Sequence, residues 1–398
     1  MKALLLENIH PEAVRLLSER NIEVETRKGA LDEAELAEAL QGVDLLGIRS
    51  KTNVTSTVLA SAPQLLSIGA FCIGTNQIDL AAASAQGTAV FNAPFSNTRS
   101  VVELVIAEII ALARHLTDKN AKMHAGIWDK SAAGAHEVRG RTLGIVGYGN
   151  IGSQLSVVAE SLGMRVMFYD VADKLALGNA RRCNSLDELL AEAETVSLHV
   201  DGRAGNAGLF GSEQFAKMRP RSLFLNLCRG IVVDHEALRE HLESGHIAGA
   251  ALDVFAEEPK SAGDRFVSSL QGIPNVILTP HVGGSTEEAQ EDIGRFVAGK
   301  LREFAGGGTS TMSVNLPQVQ VDDTQHRSRI LHIHHNVPGV LATVNGVLAD
   351  FGVNIESQML STRGDLGYVI TDISGSLPQE LVDKLRGLSE TVRLRAIP

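Results

Sequence analysis

Cysteine is scarce in this chain: Cys72, Cys183 and Cys228 are the only three in 398 residues. An odd, widely spaced set excludes a disulfide framework and a zinc ribbon. It predicts reduced thiols in a reducing, cytoplasmic setting. Long hydrophobic runs are also missing. The most apolar long stretch, residues 101–113, is interrupted by Glu103 and Glu108, so it is too short and too charged to cross a bilayer. Near the amino terminus only Leu4 to Leu6 form an unbroken apolar run, which predicts no signal peptide. Positive charge is in deficit, with 36 Lys and Arg against 47 Asp and Glu, a formal net charge of −11. Such a surface argues against non-specific binding to nucleic acid or an anionic membrane, and leaves room for one basic pocket for a small anion. What is there is ordinary for a globular protein: 44% hydrophobic and 21% charged residues. The length suits about two to three domains, each large enough for its own core.

Residues 1–92 alternate short apolar strands (3–6, 22–24, 45–48, 66–70 and 89–91) with helical patterns (12–18, 32–40 and 55–62). Strands alternating with helices imply a parallel sheet of βαβ units. The segment from Ala93 to Thr98 is a break, with Ser96 and Asn97 as candidate caps for an apolar helix over 101–116. That helix is apolar on more than one face, as if it packed against a partner. Six further strands, 143–146, 165–169, 196–200, 223–227, 249–254 and 276–278, predict one open doubly wound sheet. Gly306-Gly307-Gly308 and the polar stretch to Arg329 read as a linker. The rest reads strand, helix, strand, strand, helix, strand, the ferredoxin-like βαββαβ order. The predicted class is therefore α/β: two doubly wound, Rossmann-like parallel-sheet domains and a carboxy-terminal ferredoxin-like unit.

The strand over 143–146 runs into Gly147-Tyr148-Gly149-Asn150-Ile151-Gly152 at the start of an apolar helix. In this G-x-G-x-x-G pattern the first Gly permits the tight turn and the second lets the backbone approach a pyrophosphate. The third allows close helix–strand packing, and the helix amino terminus faces the anion. The next strand ends in Asp170, 18 residues after Gly152. A carboxylate there accepts hydrogen bonds from ribose hydroxyls and repels a 2′-phosphate, so the cofactor predicted is NAD rather than NADP.

Strand ends line the ligand crevice of a doubly wound fold. Three later ones carry Asn226-Leu227-Cys228-Arg229-Gly230, Asp253 followed by Glu257-Glu258-Pro259, and Thr279-Pro280-His281-Val282-Gly283-Gly284; an earlier one ends at His199. An Arg, a Glu and a His in such places suit oxidation of an alcohol beside a carboxylate. The His takes the hydroxyl proton, the Glu orients the imidazole, and the Arg holds the carboxylate and polarises the nascent carbonyl.

These segments resemble the D-isomer-specific 2-hydroxyacid dehydrogenases, and Arg229, Glu258 and His281 fall on that family's catalytic residues. With residues 71–79 (FCIGTNQID), 91–100 (FNAPFSNTRS) and the ferredoxin-like tail, the chain is similar to the short-type branch that oxidises 3-phospho-D-glycerate and carries one terminal ACT domain. The resemblance implies a substrate-binding domain of residues 1–96 and 284–325, an NAD-binding domain of 97–283 and an ACT domain of 326–398. It places the active site between the first two, closed by hinge motion. Arg49, Ser50 and Lys51 match the phosphate-binding turn, Ile73 and Gly74 the loop that takes the carboxylate, and Asn97 and Lys130 further substrate contacts. Leu227, Cys228, Arg229, Asp253, His281, Gly283 and Gly284 join the glycine turn and Asp170 as cofactor contacts.

Two departures from the family pattern stand out. The segment after Val200, Asp201 to Asn206, differs and is expected to be more flexible. Cys228 replaces a usual small Ser; beside Arg229 its thiol is expected to ionise readily and to be a site of oxidative inactivation, against the plainer view of an inert small residue.

For the tail, the resemblance implies L-serine as effector, with His334 and Asn336 from one chain and Asn354 from its partner. His332, His334 and His335 invite a zinc reading, but no fourth ligand is evident, and no metal site is predicted. The implied assembly is a homotetramer through cofactor-domain pairs and ACT pairs. Reduction of 2-oxoglutarate is an expected side activity, because a second carboxylate mimics the phosphate. The alternatives are a glyoxylate or hydroxypyruvate reductase, opposed by Arg49, Lys51 and the tail, and an NADH-sensing corepressor, opposed by the tail.

Overall fold

The computed structural model describes residues 1–259, 263–321 and 328–397. The expected boundary at 325/326 lies outside them. The described chain forms two compact units, Met1–Ser96 with Gln290–Pro398 and Asn97–Ala289.

The first unit opens with β1 (Lys2–Leu5), α1 (Pro11–Ser18), β2 (Glu23–Thr26), α2 (Glu33–Ala39), β3 (Leu45–Ile48), α3 (Ser56–Ser61), β4 (Ser67–Ala70), α4 (Leu80–Ala85) and β5 (Ala89–Asn92). The strands form a parallel sheet in the order β2-β1-β3-β4-β5. Asp32 and Glu35 close a capping box on α2, and Thr55 and Asp79 cap α3 and α4, satisfying N–H groups that a helix start leaves orphaned. Alternation along the strands sends Leu4, Leu46, Ile68 and Val90 to one core. It sends Ala3, Leu5, Leu45 and Ala89 to the other.

The second unit contains α5 (Thr98–Ala113), α6 (Leu116–His124), β6 (Thr142–Val146), α7 (Asn150–Ser161), β7 (Arg165–Tyr169), β8 (Arg181–Arg182), α8 (Leu186–Glu192), β9 (Thr195–Leu198), α9 (Ser212–Lys217), β10 (Ser222–Asn226), α10 (His235–Glu243), β11 (Ile247–Leu252) and β12 (Val276–Leu278). Its parallel sheet has the order β12-β11-β10-β9-β6-β7-β8. The strand order reverses between β6 and β9, the switch point at which open sheets bind ligands. The sheet has one strand more than expected, because the exposed dipeptide of β8 carries no apolar signal. The helix expected over 101–116 ends at Ala113, where His115 turns left-handed at φ 49° and α6 begins. The apolar faces of α5 are largely covered within the chain, with Val101, Val102, Val105, Ile109 and Leu112 joining the core beneath β6, β7 and α7.

Helix α11 (Glu287–Gly307) leads back to the first unit, which ends with β13 (Ser328–His335), α12 (Val340–Asp350), β14 (Ile355–Arg363), β15 (Leu366–Ile373), α13 (Gln379–Arg386) and β16 (Thr391–Ile397). These strands form an antiparallel sheet in the order β14-β15-β13-β16. One face of it packs on α12 and α13. The other contributes Leu331, Ile333, Tyr368 and Ile370 to a core shared with Phe91, Leu301 and Phe304. Arg395 donates to the carbonyls of Phe304 and Ala305, and Arg393 to those of Pro63 and Leu65.

The glycine run is a helix stop rather than a linker. Gly306 and Gly307 end α11. Gly308, at φ +84°, returns its N–H to the Phe304 carbonyl at 3.0 Å, an αL cap. A Cβ at Gly308 would lie 2.4 Å from Leu331 Cδ2 and 2.8 Å from the Tyr368 hydroxyl, so only glycine fits under the second sheet. The chain after it folds back onto β5: Val314 N–H donates to the Val90 carbonyl, and the Asn315 side chain bonds Val90 and Thr88.

Candidate active site

At the carboxyl edge of the second unit's sheet, His281 Nδ1 lies 2.8 Å from Glu258 Oε2 and 3.1 Å from Oε1. The Phe255 N–H donates to Glu258 Oε1 and holds the carboxylate still. Burial works against charge on Glu258, but the hydrogen bonds from His281 and Phe255 and the positive charge of His281 and Arg229 hold its carboxyl below the ordinary range. The hydrogen bond to Glu258 raises the His281 pKa above its usual value, over the opposition of burial and Arg229. Arg229 is thus close enough for its charge to act on both partners.

Local folding makes this arrangement. His281 sits at φ +55°, which a non-glycine residue adopts only when its surroundings impose it. The buried Asp253 carboxylate imposes it by accepting from Thr279 Oγ1 at 2.6 Å and from the N–H groups of Val282 and Gly283 at 2.8 Å each. Asn226, fully buried, accepts from the Cys228 N–H and donates to the Arg229 carbonyl, shaping the turn that carries Arg229. A Cβ at Gly230 would fall 1.9 Å from the Phe255 carbonyl carbon, so this turn lies directly on the backbone leading to Glu258. A Cβ at Gly284 would meet Asn97 Nδ2 at 2.4 Å, which places Asn97 beside the same loop.

Cys228 corrects an expectation. Its Sγ is hydrogen-bonded to Asn226 Oδ1, only 6% of the residue is exposed, and burial pushes the thiol up to about 11. Desolvation outweighs the Arg229 charge, which opposes the ready ionisation and favours the plainer reading of a small buried residue. The 201–206 segment is tied by its own bonds, Arg203 to the Asp201 carboxylate and Asn206 Nδ2 to the Asp201 carbonyl at 3.0 Å. His199 is partly buried and bonded to Ser197 Oγ, and desolvation of its ring lowers its pKa to about 4, which leaves it neutral.

The glycine turn fits a dinucleotide. Gly147 has φ +93°, and a Cβ there would lie 2.6 Å from the His199 carbonyl oxygen. A Cβ at Gly152 would lie 2.3 Å from the Gly147 oxygen, whereas at Gly149 there is open space. Helix α7 starts at Asn150 without a side-chain cap, so its first N–H groups, with Asn150 and Ile151, are free to receive a pyrophosphate. Asp170 is fixed beside the turn by the N–H groups of Tyr148 and Ala172, at 2.7 and 2.8 Å. Tyr148, inside the turn, stacks on Phe168 at 3.7 Å between ring centroids.

In the first unit, Arg49, Ser50 and Lys51 follow β3, and Ile73 and Gly74 follow β4, at the carboxyl edge of that sheet. Among the described residues neither the Arg49 nor the Lys51 side chain has an ion-pair partner. Lys130 follows Asp129, whose carboxylate accepts from Lys122 of α6 at 2.8 Å. The preceding helix α6 is anchored where Asp118 accepts the Asn275 N–H at the amino end of β12, whereas His281 follows the carboxyl end. Glu7 and Gln77 brace the 49–52 and 72–77 turns. A carboxylate just past β1, level with the turn after its parallel neighbour β3, was the available signal.

In the last domain His334 is 3% exposed and its ring lies on Gly367; its Nδ1 bonds the His335 carbonyl while Nε2 is buried without a partner. Asn336 is exposed and donates to the Gly364 carbonyl. Asn354 lies at the other end of the sheet: β14 pairs Ile355 with Ile373, whereas His335 pairs with Leu366, so the two groups do not meet within one chain. Among the described residues no cluster of three or more metal-ligating side chains occurs, and no helix is long and apolar enough to cross a membrane.

Residues 106–283 match the model of the D-isomer specific 2-hydroxyacid dehydrogenase NAD-binding domain. Residues 330–393 match that of the AHAS small subunit-like ACT domain. The D-3-phosphoglycerate dehydrogenase of Haemophilus influenzae is 46% identical over 398 residues, covering 100% of this chain and 97% of that protein. That of Escherichia coli K12 is 46% identical over 400 residues with the same coverage. Among solved structures, the TT0316 protein from Thermus thermophilus aligns at a TM-score of 0.72 and 31% identity, over 79% of this chain and 100% of that one. A D-isomer specific 2-hydroxyacid dehydrogenase from Lactobacillus delbrueckii ssp. bulgaricus in its NAD-complexed form aligns at 0.69 and 25% identity, over 79% and 100%. With this likeness over its whole length, a glycine turn fitted to NAD and an ACT domain at its end, the chain belongs to the D-isomer specific 2-hydroxyacid dehydrogenase family, among the D-3-phosphoglycerate dehydrogenases.

Proposed function

We propose that this chain oxidises 3-phospho-D-glycerate to 3-phosphooxypyruvate, the first committed step of L-serine biosynthesis, in the cytoplasm. The observation that carries the chemistry is the Glu258–His281 pair with Arg229 in electrostatic reach. The glycine turn and Asp170, with residues 227–229, Asp253, His281, Gly283 and Gly284, would hold NAD⁺, which would supply the hydride acceptor. His281 Nε2 takes the hydroxyl proton, because Nδ1 is engaged by Glu258 and the resulting imidazolium is stabilised by that carboxylate. Arg229 binds the substrate carboxylate and draws charge onto the forming carbonyl oxygen. The phosphate is assigned to Arg49, Ser50 and Lys51, where two cations suit a doubly charged group. The carboxylate is further assigned to the N–H groups of Ile73 and Gly74, with Asn97 as an additional contact.

The proposed domains are a substrate-binding part of residues 1–96 and 284–325, an NAD-binding part of 97–283 and an ACT domain from 326. L-serine is the proposed feedback inhibitor, held by His334 and Asn336 with Asn354 of a second copy. The buried, unpartnered His334 Nε2 supports a polar ligand there. A homotetramer is proposed. Leu116, Met123, Ile127 and Trp128, the last 77% exposed, are large apolar side chains left in solvent on and just after α6, which supports pairing through the second unit. The role of Lys130 as a substrate contact then falls to a neighbouring copy's site. 2-Oxoglutarate is a proposed secondary substrate.

The test is NADH absorbance with 3-phospho-D-glycerate and with plain D-2-hydroxy acids, each with and without L-serine. Preference for the phosphorylated acid and inhibition by serine are expected. Equal rates on phosphate-free acids would instead assign a glyoxylate or hydroxypyruvate reductase, and absence of turnover a corepressor.

A further inference from the structure

We propose that Glu7 and Gln77 are positioning residues: Glu7 fixes the shape of the 49–52 turn and Gln77 ties that turn to the 72–77 turn, and together they set the span of substrate that the first unit accepts. This deepens the function proposed for those turns and rests on it.

Glu7 is 7% exposed and follows β1 at φ 61°, with Asn8 next at φ 53°. Two consecutive left-handed non-glycine residues are costly, and they turn the Glu7 carboxylate beneath the neighbouring strand's end. There it accepts from the N–H groups of Arg49, Thr52 and Lys51, at 3.1, 2.9 and 3.0 Å. Three of the four N–H groups from Arg49 to Thr52 are thereby taken. The turn must meet an anion mainly with the Arg49, Ser50 and Lys51 side chains, on a backbone that cannot shift to follow it.

Gln77, also 7% exposed, makes the second tie. Its Nε2 donates to the Arg49 carbonyl at 2.6 Å and approaches the Gly74 carbonyl at 3.4 Å. Both carbonyls are acceptors, with Cys72 Sγ a third neighbour at 3.4 Å, and the two carbonyls fix the amide orientation. The Gln77 carbonyl accepts the Val54 N–H at 2.8 Å, and Val54 and Ile78 form an isolated parallel bridge. One buried side chain thus joins the backbone proposed to present the phosphate's cations to the backbone proposed to take the carboxylate. A ligand with anionic groups at both ends feels that distance, and one with a single anionic end does not.

The experiment measures kcat and KM for 3-phospho-D-glycerate and D-glycerate in the wild type, Gln77→Leu and Glu7→Gln. Gln77→Leu keeps the volume and removes the donor. It is expected to raise KM for the phosphorylated acid about five- to tenfold, with kcat within about twofold and D-glycerate kinetics unchanged. Glu7→Gln is expected to act in the same direction. Adding Arg49→Ala to Gln77→Leu should cost less than the sum of the separate effects, because both act through one turn. Equal KM changes for both acids, or none, would overturn the inference while the phosphate assignment stands. A wild type indifferent to the phosphate would overturn both.

Discussion

Gly230 lies on the backbone of Phe255 so closely that any side chain would drive the two segments apart. Those segments carry Arg229 and Glu258, so the packing sets the distance between guanidinium and carboxylate. Gly230→Ala is expected to leave the fold intact and to lower kcat/KM by about a hundredfold, the scale of an ångström's misplacement at a reacting centre. Steady-state kinetics beside circular dichroism check this.

The raised His281 pKa has a kinetic signature. The base must be neutral to take the hydroxyl proton, so oxidation falls as pH drops through that pKa, above the ordinary histidine value. Glu258→Gln removes the stabilising charge. The acid limb of the kcat/KM profile for oxidation should move to lower pH, while the plateau drops by about tenfold or more. An unmoved limb would separate Glu258 from His281 ionisation.

Glu108 is a buried acid on α5, 3% exposed, with both carboxyl oxygens unpartnered. Burial, and then the nearby Asp253 charge, push its pKa up to about 8. The folded protein keeps a proton that the unfolded chain releases near its ordinary value. Stability therefore falls as pH rises from the unfolded pKa through the folded one, by about 1.4 kcal/mol for each unit between them. Glu108→Gln should melt much like wild type at acid pH and well above it in mildly alkaline buffer. Melting curves across that range read the difference.

Asp170 is held by two N–H groups at the edge of the glycine turn. Asp170→Ser removes the charge that repels a 2′-phosphate. The kcat/KM ratio of NAD⁺ to NADP⁺ should fall by about tenfold or more, measured with both cofactors at fixed substrate.

Much of this architecture is written in local pattern. The β1 to β5 and β6 to β12 rhythms follow from apolar runs between capped helices, and G-x-G-x-x-G with Asp170 specifies a nucleotide turn. The convergence of Arg229, Glu258 and His281 is legible because each follows a strand of one sheet. Three features are not readable this way. β8 has no apolar residue to announce it. The thiol of Cys228 is governed by burial that its neighbour Arg229 disguises. Gly306-Gly307-Gly308 has the composition of a tether, and only the second sheet lying on it makes it a helix stop. Glu7 and Gln77 act on backbone atoms far along the chain, so their partners become readable only once the strand order is known.

The shared core of Leu331, Ile333 and Tyr368 with Leu301 and Phe304, clasped by Arg393 and Arg395, has a practical consequence. Cutting the chain before β13 would lay bare oily surface on the half left behind, so a truncated form is expected to clump. The proposed effector site is therefore better tested by point changes at His334, Asn336 and Asn354 than by truncation.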